Sequence, residues 1–151
     1  MNAIPTCKAP DPNTHRPAYR PPPLACDAHC HIFGPGARYP YAADRSYTPP
    51  DAPLARFKEL QATLGLERAV LVNASCHGSD NTVIVDAIAQ SGGRYRGVAN
   101  SDDSFTQREF RRLHGPSQRC SIPTWDRERP LSRDESSRTP DRENPQYNSL
   151  R

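Results

Sequence analysis

The sequence predicts an α/β fold built on a parallel sheet, and three observations lead to this prediction. Short apolar segments alternate three times with amphipathic segments between residues 24 and 114. Turn or capping residues separate the segments, and a polar cluster follows each apolar one. Such alternation favours a parallel sheet with helices on its faces, and both a doubly wound sheet and a (β/α)8 barrel fit it.

The first strand–helix unit begins with a strand over 24–32 and continues, after a loop rich in glycine, proline and tyrosine, into a helix over 51–64. Pro53 falls in the first turn of that helix, where a missing N–H costs little, and Gly65 ends it. One apolar stripe recurs there at helical spacing: Leu54, Phe57, Leu60 and Leu64.

The second unit begins with a continuously apolar strand over 68–73, as expected for a strand covered on both faces. Its helix is capped by Ser79 or Asp80 and ends near Gly92.

The third unit pairs a strand over 95–100 with a helix that ends near His114. Thr106 and Glu109 have the spacing of a capping box at its start. Phe105 and Phe110 have the spacing of a hydrophobic staple.

The two flanks differ in composition from residues 24–114, which we take as the folded part. Residues 1–23 contain seven of the 17 prolines, and residues 115–151 are rich in Arg, Ser, Pro, Asp and Glu. Neither flank has enough apolar surface to offset its ordering entropy, so we expect both to be disordered. No signal peptide or membrane span is recognisable, which favours a cytoplasmic protein.

Charge and cysteine content exclude several classes of function. The net charge is +3, and the 24–114 part balances ten Lys/Arg against ten Asp/Glu, so no basic surface for nucleic acid is expected. The odd number of cysteines, five, argues against a disulfide scaffold, and the absence of a CxxC pair argues against a zinc ribbon.

His29 and His31 are the main candidate catalytic residues. They lie two apart on the first predicted strand, so their side chains share a face. Two imidazoles there could ligate one divalent metal or polarise a substrate oxygen, whereas packing in the barrel is the structural alternative. Polar clusters that follow the next two strands favour function, because ligands of parallel sheets bind at this edge.

The other candidates lie on loops. Tyr47 and Thr48 have hydroxyls that could donate to an anionic substrate, and an ordinary loop role fits them equally well. Ser75 and His77 follow the second strand, where helix capping or solvent exposure competes with substrate binding.

The segment ACDAHCHIFGPGARYPYAADRSYTPPDAP, followed by ERAVLVNASCHGSDN and YRGVAN, resembles the amidohydrolase-2 group of TIM-barrel metal-dependent hydrolases. Within that group it is most similar to 2-pyrone-4,6-dicarboxylate hydrolases, over about residues 20–114. The resemblance implies the first three βα units of a (β/α)8 barrel. It also implies a reaction in which water attacks the lactone carbonyl of a dicarboxylate from the breakdown of aromatic compounds. By this resemblance, His29 and His31 polarise the lactone carbonyl. Tyr47 and Ser75 help to bind the substrate carboxylates, and the neighbouring Thr48 and His77 are further candidates for that role.

The resemblance implies that no metal is required; the alternative is one Zn or Mn ion on His29 and His31. Residues 115–151 do not resemble the family, whose later strands supply an activating Asp and a carboxylate-binding arginine clamp. We therefore expect a frame shift near residues 111–115 and an inactive, truncated barrel.

Two alternative functions remain. One is another reaction of the superfamily, such as metal-dependent decarboxylation or hydrolysis of a sugar lactone or muconolactone. The other is a small non-enzymatic α/β binding module.

Overall fold

A computed structural model describes residues 3–114 and 120–121 of the chain. In this part, four parallel strands form one sheet in the order β1-β2-β3-β4. The strands are β1 (Cys26–Cys30), β2 (Arg68–Val72), β3 (Tyr95–Val98) and β4 (Cys120–Ser121), and the helices are α1 (Leu54–Leu64), α2 (Thr82–Ala89) and α3 (Gln107–Leu113). The predicted alternation of strand and helix is confirmed, and strands adjacent in sequence are adjacent in the sheet.

One face of the sheet is covered and contains the core. Ala69 and Leu71 of β2 and Tyr95 of β3 are buried there, as the period of two along a strand requires. They join a cluster with apolar residues of the helices, namely Phe57, Val83, Ile84, Ala87 and Ile88. Alternate residues such as Val70, Val72 and Val98 face the other way and are only half-buried. The sheet therefore has one packed face and one that the described residues leave partly open.

The helix ends follow the predicted capping residues with small differences. α1 begins at Leu54 rather than near residue 51, because Pro53 has an extended backbone and is the N-cap. Gly65 ends α1 in the left-handed conformation, at φ 75°. Before α2, Oδ1 of Asp80 accepts from the Thr82 amide at 2.9 Å, although Asn81 is the N-cap.

The start of α3 confirms both motifs predicted for it. The Thr106 side chain accepts a hydrogen bond from the Glu109 amide, and the Glu109 carboxylate accepts one from the Thr106 amide. The rings of Phe105 and Phe110 are 5.6 Å apart. The two capping-box hydrogen bonds satisfy amides that the start of the helix leaves without partners, and the ring contact fixes the entry of the chain into the helix.

β4 differs from the expectation that residues 115–151 have no structure. Cys120 and Ser121 pair in parallel with Gly97 and Val98 of β3. Gly97 permits this approach, because a Cβ there would lie 2.7 Å from the Cys120 Sγ. The other residues of the predicted tail lie outside the described part.

The segment 3–23 contains no helix, but its start pairs with the long loop after β1. The Thr48 amide donates to the Pro5 carbonyl at 2.8 Å, and the Cys7 amide donates to the Thr48 carbonyl at 3.2 Å. The proline-rich composition did not predict this contact. No helix among residues 3–114 and 120–121 is long and apolar enough to cross a bilayer.

Candidate functional site

The two candidate catalytic histidines lie side by side at the carboxyl end of β1. Their ring centroids are 5.1 Å apart in an edge-to-face arrangement, and both residues are exposed. The register of β1 against β2 shifts between Asp27 and Cys30, and Oδ1 of Asp27 accepts a hydrogen bond from the His29 amide at 3.1 Å. The structure therefore brings His29 and His31 together as their spacing predicts.

The hydrogen bond of His31 determines what its ring can do. Its Nδ1 lies 2.8 Å from the carbonyl oxygen of Val72, the last residue of β2. A carbonyl oxygen only accepts, so Nδ1 donates and the neutral ring has an unprotonated Nε2. That Nε2 can accept a proton or bind a cation, and it can donate to a substrate oxygen only when the ring is the imidazolium.

A second polar cluster lies where the long loop meets the turn after β2. The Tyr47 hydroxyl lies beside the side chains of Ser75 and Cys76 and interacts with both. Burial raises the pKa of Tyr47, and the interaction with Ser75 opposes that rise. Tyr47 is therefore a neutral hydroxyl at physiological pH, and the structure brings it together with Ser75.

Thr48 has a structural partner of its own. The Arg45 Nε donates to the Thr48 Oγ1 at 2.9 Å, and the Arg45 Nη1 donates to the Ala42 carbonyl at 2.9 Å. The Thr48 backbone also pairs with the N-terminal segment. The Thr48 hydroxyl is thus engaged in holding the loop.

His77 lies in the interior, with 3% of its surface exposed. Its ring packs on Tyr41 with centroids 5.0 Å apart. Burial lowers the pKa of His77, although a hydrogen bond with the Pro40 carbonyl and the charge of Asp80 oppose this. The geometry is that of a neutral packing residue under the loop, separate from the exposed histidine pair.

A cavity of about 770 Å³ joins parts of the two clusters, because His31 and Tyr47 both line it. His29, Thr48, Ser75 and His77 are not among its lining residues. Its other walls are α1 and residues 7–15, including Lys8 and His15. Sequence reasoning missed these two residues, because they lie in a segment whose composition gave no structural pattern.

A metal site at the histidine pair would need further ligands. Catalytic zinc sites use three protein ligands and one open position. Within residues 3–114 and 120–121, no group of three His, Cys, Asp or Glu side chains is arranged to hold a metal ion. These residues therefore offer two imidazoles toward a metal and do not form a complete site.

Comparison with known proteins gives one family. The amidohydrolase family (Amidohydro_2) matches residues 26–119. A 2-pyrone-4,6-dicarboxylate hydrolase of Comamonas testosteroni is 47% identical over 102 residues, which is 68% of this chain and 33% of that protein. A 4-sulfomuconolactone hydrolase of Rhizobium radiobacter is 41% identical over 110 residues, covering 73% of this chain and 37% of that protein. The chain thus spans about a third of the length of these relatives.

Solved structures show the same fold. A probable 2-pyrone-4,6-dicarboxylic acid hydrolase of Acinetobacter baumannii superposes with a TM-score of 0.58 at 24% identity, covering 66% of this chain and 36% of that one. A protein of Agrobacterium tumefaciens superposes with a TM-score of 0.57 at 23% identity, covering 72% and 38%. The described strands and helices therefore match the opening units of an amidohydrolase barrel.

Proposed function

Because the chain belongs to the amidohydrolase family, we propose that it supplies one side of the active site of a lactone hydrolase. The substrate we propose is a 2-pyrone-4,6-dicarboxylate or a close analogue, as in the names of its relatives. One observation supports this most directly. His29 and His31 stand side by side at the carboxyl end of β1, the edge at which (β/α)8 enzymes bind their substrates.

In this proposal the histidine pair polarises the lactone carbonyl. Water attacks the carbonyl carbon, negative charge develops on its oxygen, and the ring C–O bond then breaks to give a carboxylate and an enol. One proton of the water passes to the enol oxygen and the other is released to solvent. His31 stabilises the developing charge as an imidazolium, because its Nδ1 is engaged by Val72 and Nε2 must be the donor. His29, whose ring centroid lies 5.1 Å from that of His31, contacts the same oxygen.

Tyr47 and Ser75 bind a substrate carboxylate in this proposal. Their hydroxyls lie beside each other, and both can turn a donor toward an anion. Thr48 and His77 are less direct candidates. The hydroxyl of Thr48 is bonded by Arg45, and His77 is buried against Tyr41.

The proposed reaction needs groups beyond these residues. The resemblance implies an Asp that activates water and arginines that bind the carboxylates, and both belong to later barrel strands. We therefore propose that the 151-residue chain binds the substrate weakly and does not turn it over. An assay of ring opening by the loss of pyrone absorbance tests this, and measurable turnover by the purified chain would contradict it.

We propose that the hydrolysis needs no metal. The alternative is a metal-dependent reaction, which the unprotonated Nε2 of neutral His31 would allow because it can bind a cation. In that alternative, His29 and His31 hold one Zn or Mn ion for a related reaction, such as a metal-dependent decarboxylation. Metal analysis of the purified chain, before and after dialysis against each ion, distinguishes the two. One tightly held ion per chain that His31→Gln abolishes would favour the metal reaction.

Binding gives the direct test of the lactonase proposal. Titration of the ¹⁵N-labelled chain with 2-pyrone-4,6-dicarboxylate should shift amide signals around His31, Tyr47 and Ser75 in a saturable way. His31→Gln should weaken this binding by about tenfold, the size of one hydrogen bond to a charged group. His114→Gln, on the exposed end of α3, should leave it unchanged. Absence of saturable binding would overturn the proposal.

A further inference from the structure

The cavity next to the candidate site has three walls. Residues 7–15 form one wall, the long loop after β1 forms the second, and α1 forms the third. Its volume of about 770 Å³ falls within the range of ligand pockets, roughly 300–1,000 Å³. His31 and Tyr47 line it together with apolar residues that include Phe33 and Leu60. A ligand bound at His31 would therefore extend into this space.

The wall formed by residues 7–15 is attached beside Tyr47. The Thr48 amide donates to the Pro5 carbonyl at 2.8 Å, and the Cys7 amide donates to the Thr48 carbonyl at 3.2 Å. Thr48 follows Tyr47 directly, and Lys8 follows Cys7 directly. These two hydrogen bonds thus place the Lys8 backbone at the Tyr47 end of the cavity.

Some of the charged side chains that line the cavity have an ion-pair or hydrogen-bond partner within the described residues, and Lys8 does not. Arg56 and Glu59 of α1 form an ion pair with each other. Asp11 accepts a hydrogen bond from the Asn13 amide at 2.8 Å. Lys8 is exposed and lines the cavity, and no residue of the described part lies in ion-pair or hydrogen-bond contact with its ammonium. Lys8 is therefore a cation available to a ligand.

We propose that residues 5–15 form the cover of the substrate pocket and that Lys8 binds a carboxylate of the substrate. The ligand class is an anionic lactone with a flat, apolar ring, which packs on the prolines and on Leu60 while its carboxylate meets the ammonium. This inference rests on the proposed function, because it assumes that the ligand is also held at His31. Lys8 thereby becomes a specificity-determining residue for anionic over neutral lactones.

The experiment measures the Kd of 2-pyrone-4,6-dicarboxylate for the full chain by NMR titration in low salt. Lys8→Gln should weaken binding about fivefold, the upper range for one exposed charge pair, and the difference should shrink in 0.5 M salt. Lys8→Arg should restore most of the affinity. Lys58→Gln is the matched control, because it removes the same charge from an exposed position of α1 that does not line the cavity.

Each outcome decides between the proposals. Equal affinities of wild type and Lys8→Gln, with weaker binding by His31→Gln, would overturn the role of Lys8 and leave the proposed function intact. Equal losses in Lys8→Gln and Lys58→Gln would show an effect of net charge alone, which also overturns it. Absence of any wild-type binding would overturn both proposals.

Discussion

His31 donates a hydrogen bond from Nδ1 to the carbonyl oxygen of Val72 across 2.8 Å, which joins the end of β1 to the end of β2. Val72 is the last residue of its strand, and the turn that contains Ser75 begins three residues later. This one hydrogen bond therefore fixes the orientation of the His31 ring. It also links the end of β1 to the end of β2, which leads into the turn that contains Ser75. Such support of an imidazole by a backbone carbonyl sets which nitrogen faces the ligand.

The first prediction concerns the protonation of this ring. In its neutral form, His31 should carry its proton on Nδ1, because the Val72 carbonyl can only accept. Long-range ¹H–¹⁵N NMR of the side chain reports the tautomer directly. His15, which is exposed, is the internal comparison and should show the usual mixture. A predominantly Nε2-protonated His31 would contradict the bond and, with it, the proposed imidazolium donor.

The second prediction concerns a buried polar pair in the core. The Tyr95 hydroxyl of β3 donates to Oε1 of Gln61 on α1, while Nε2 of Gln61 donates to the Arg68 carbonyl at 3.2 Å. Tyr95→Phe leaves Oε1 buried without its donor and should lower the free energy of unfolding by about 1–3 kcal/mol. Urea unfolding measures this. Tyr19→Phe, at a residue that is 72% exposed, should change it by less than about 0.5 kcal/mol.

Periodicity and capping chemistry predicted most of the fold. The glycine at the end of α1 and the Thr106–Glu109 capping box are local patterns, and the structure has both. Of the apolar stripe predicted for α1, Phe57 is buried, whereas Leu60 is 37% exposed. The spacing of His29 and His31 also predicted their proximity, because alternation along a strand is a local property.

Long-range contacts could not be predicted in this way. The pairing of Thr6 with Thr48 joins residues far apart in the chain, within a proline-rich composition that indicates disorder. Cys120 has no flanking apolar pattern, and its strand depends on the space that Gly97 leaves. The burial of His77 likewise follows from its packing on Tyr41, which its position after a strand does not indicate.

The third prediction tests the close packing of Gly97 between β4 and α2. A Cβ at position 97 would lie 2.7 Å from both the Cys120 Sγ and the Ile88 Cδ1, so Gly97→Ala should destabilise the chain by about 1–3 kcal/mol. Ile88→Val removes the Cδ1 atom, so the double variant should lose less stability than the sum of the two single losses. Chemical unfolding of all four proteins gives the coupling. Strict additivity would show that the two side chains do not meet.

The fourth prediction is a dependence of stability on pH that originates at His77. Burial lowers its pKa below the ordinary 6.5, so between the two values the unfolded chain binds a proton that the folded chain does not. Stability should therefore fall as pH decreases through 6.5, and above that range His77 should contribute no pH dependence. Urea unfolding at pH 7.5 and 5.5 measures the fall, and an NMR titration of the ring gives its midpoint.

Two variants separate His77 from the other titrating groups. His77→Gln cannot gain the proton, so its stability should change less between pH 7.5 and 5.5 than that of the wild type. His15→Gln, which removes an exposed histidine, is the matched control for the loss of one imidazole. A His77 ring that titrates at or above 6.5 would mean that it is solvated or paired in solution. It would then be available to a ligand, and its place beside Ser75 in the candidate site would gain support over the packing role that its burial indicates.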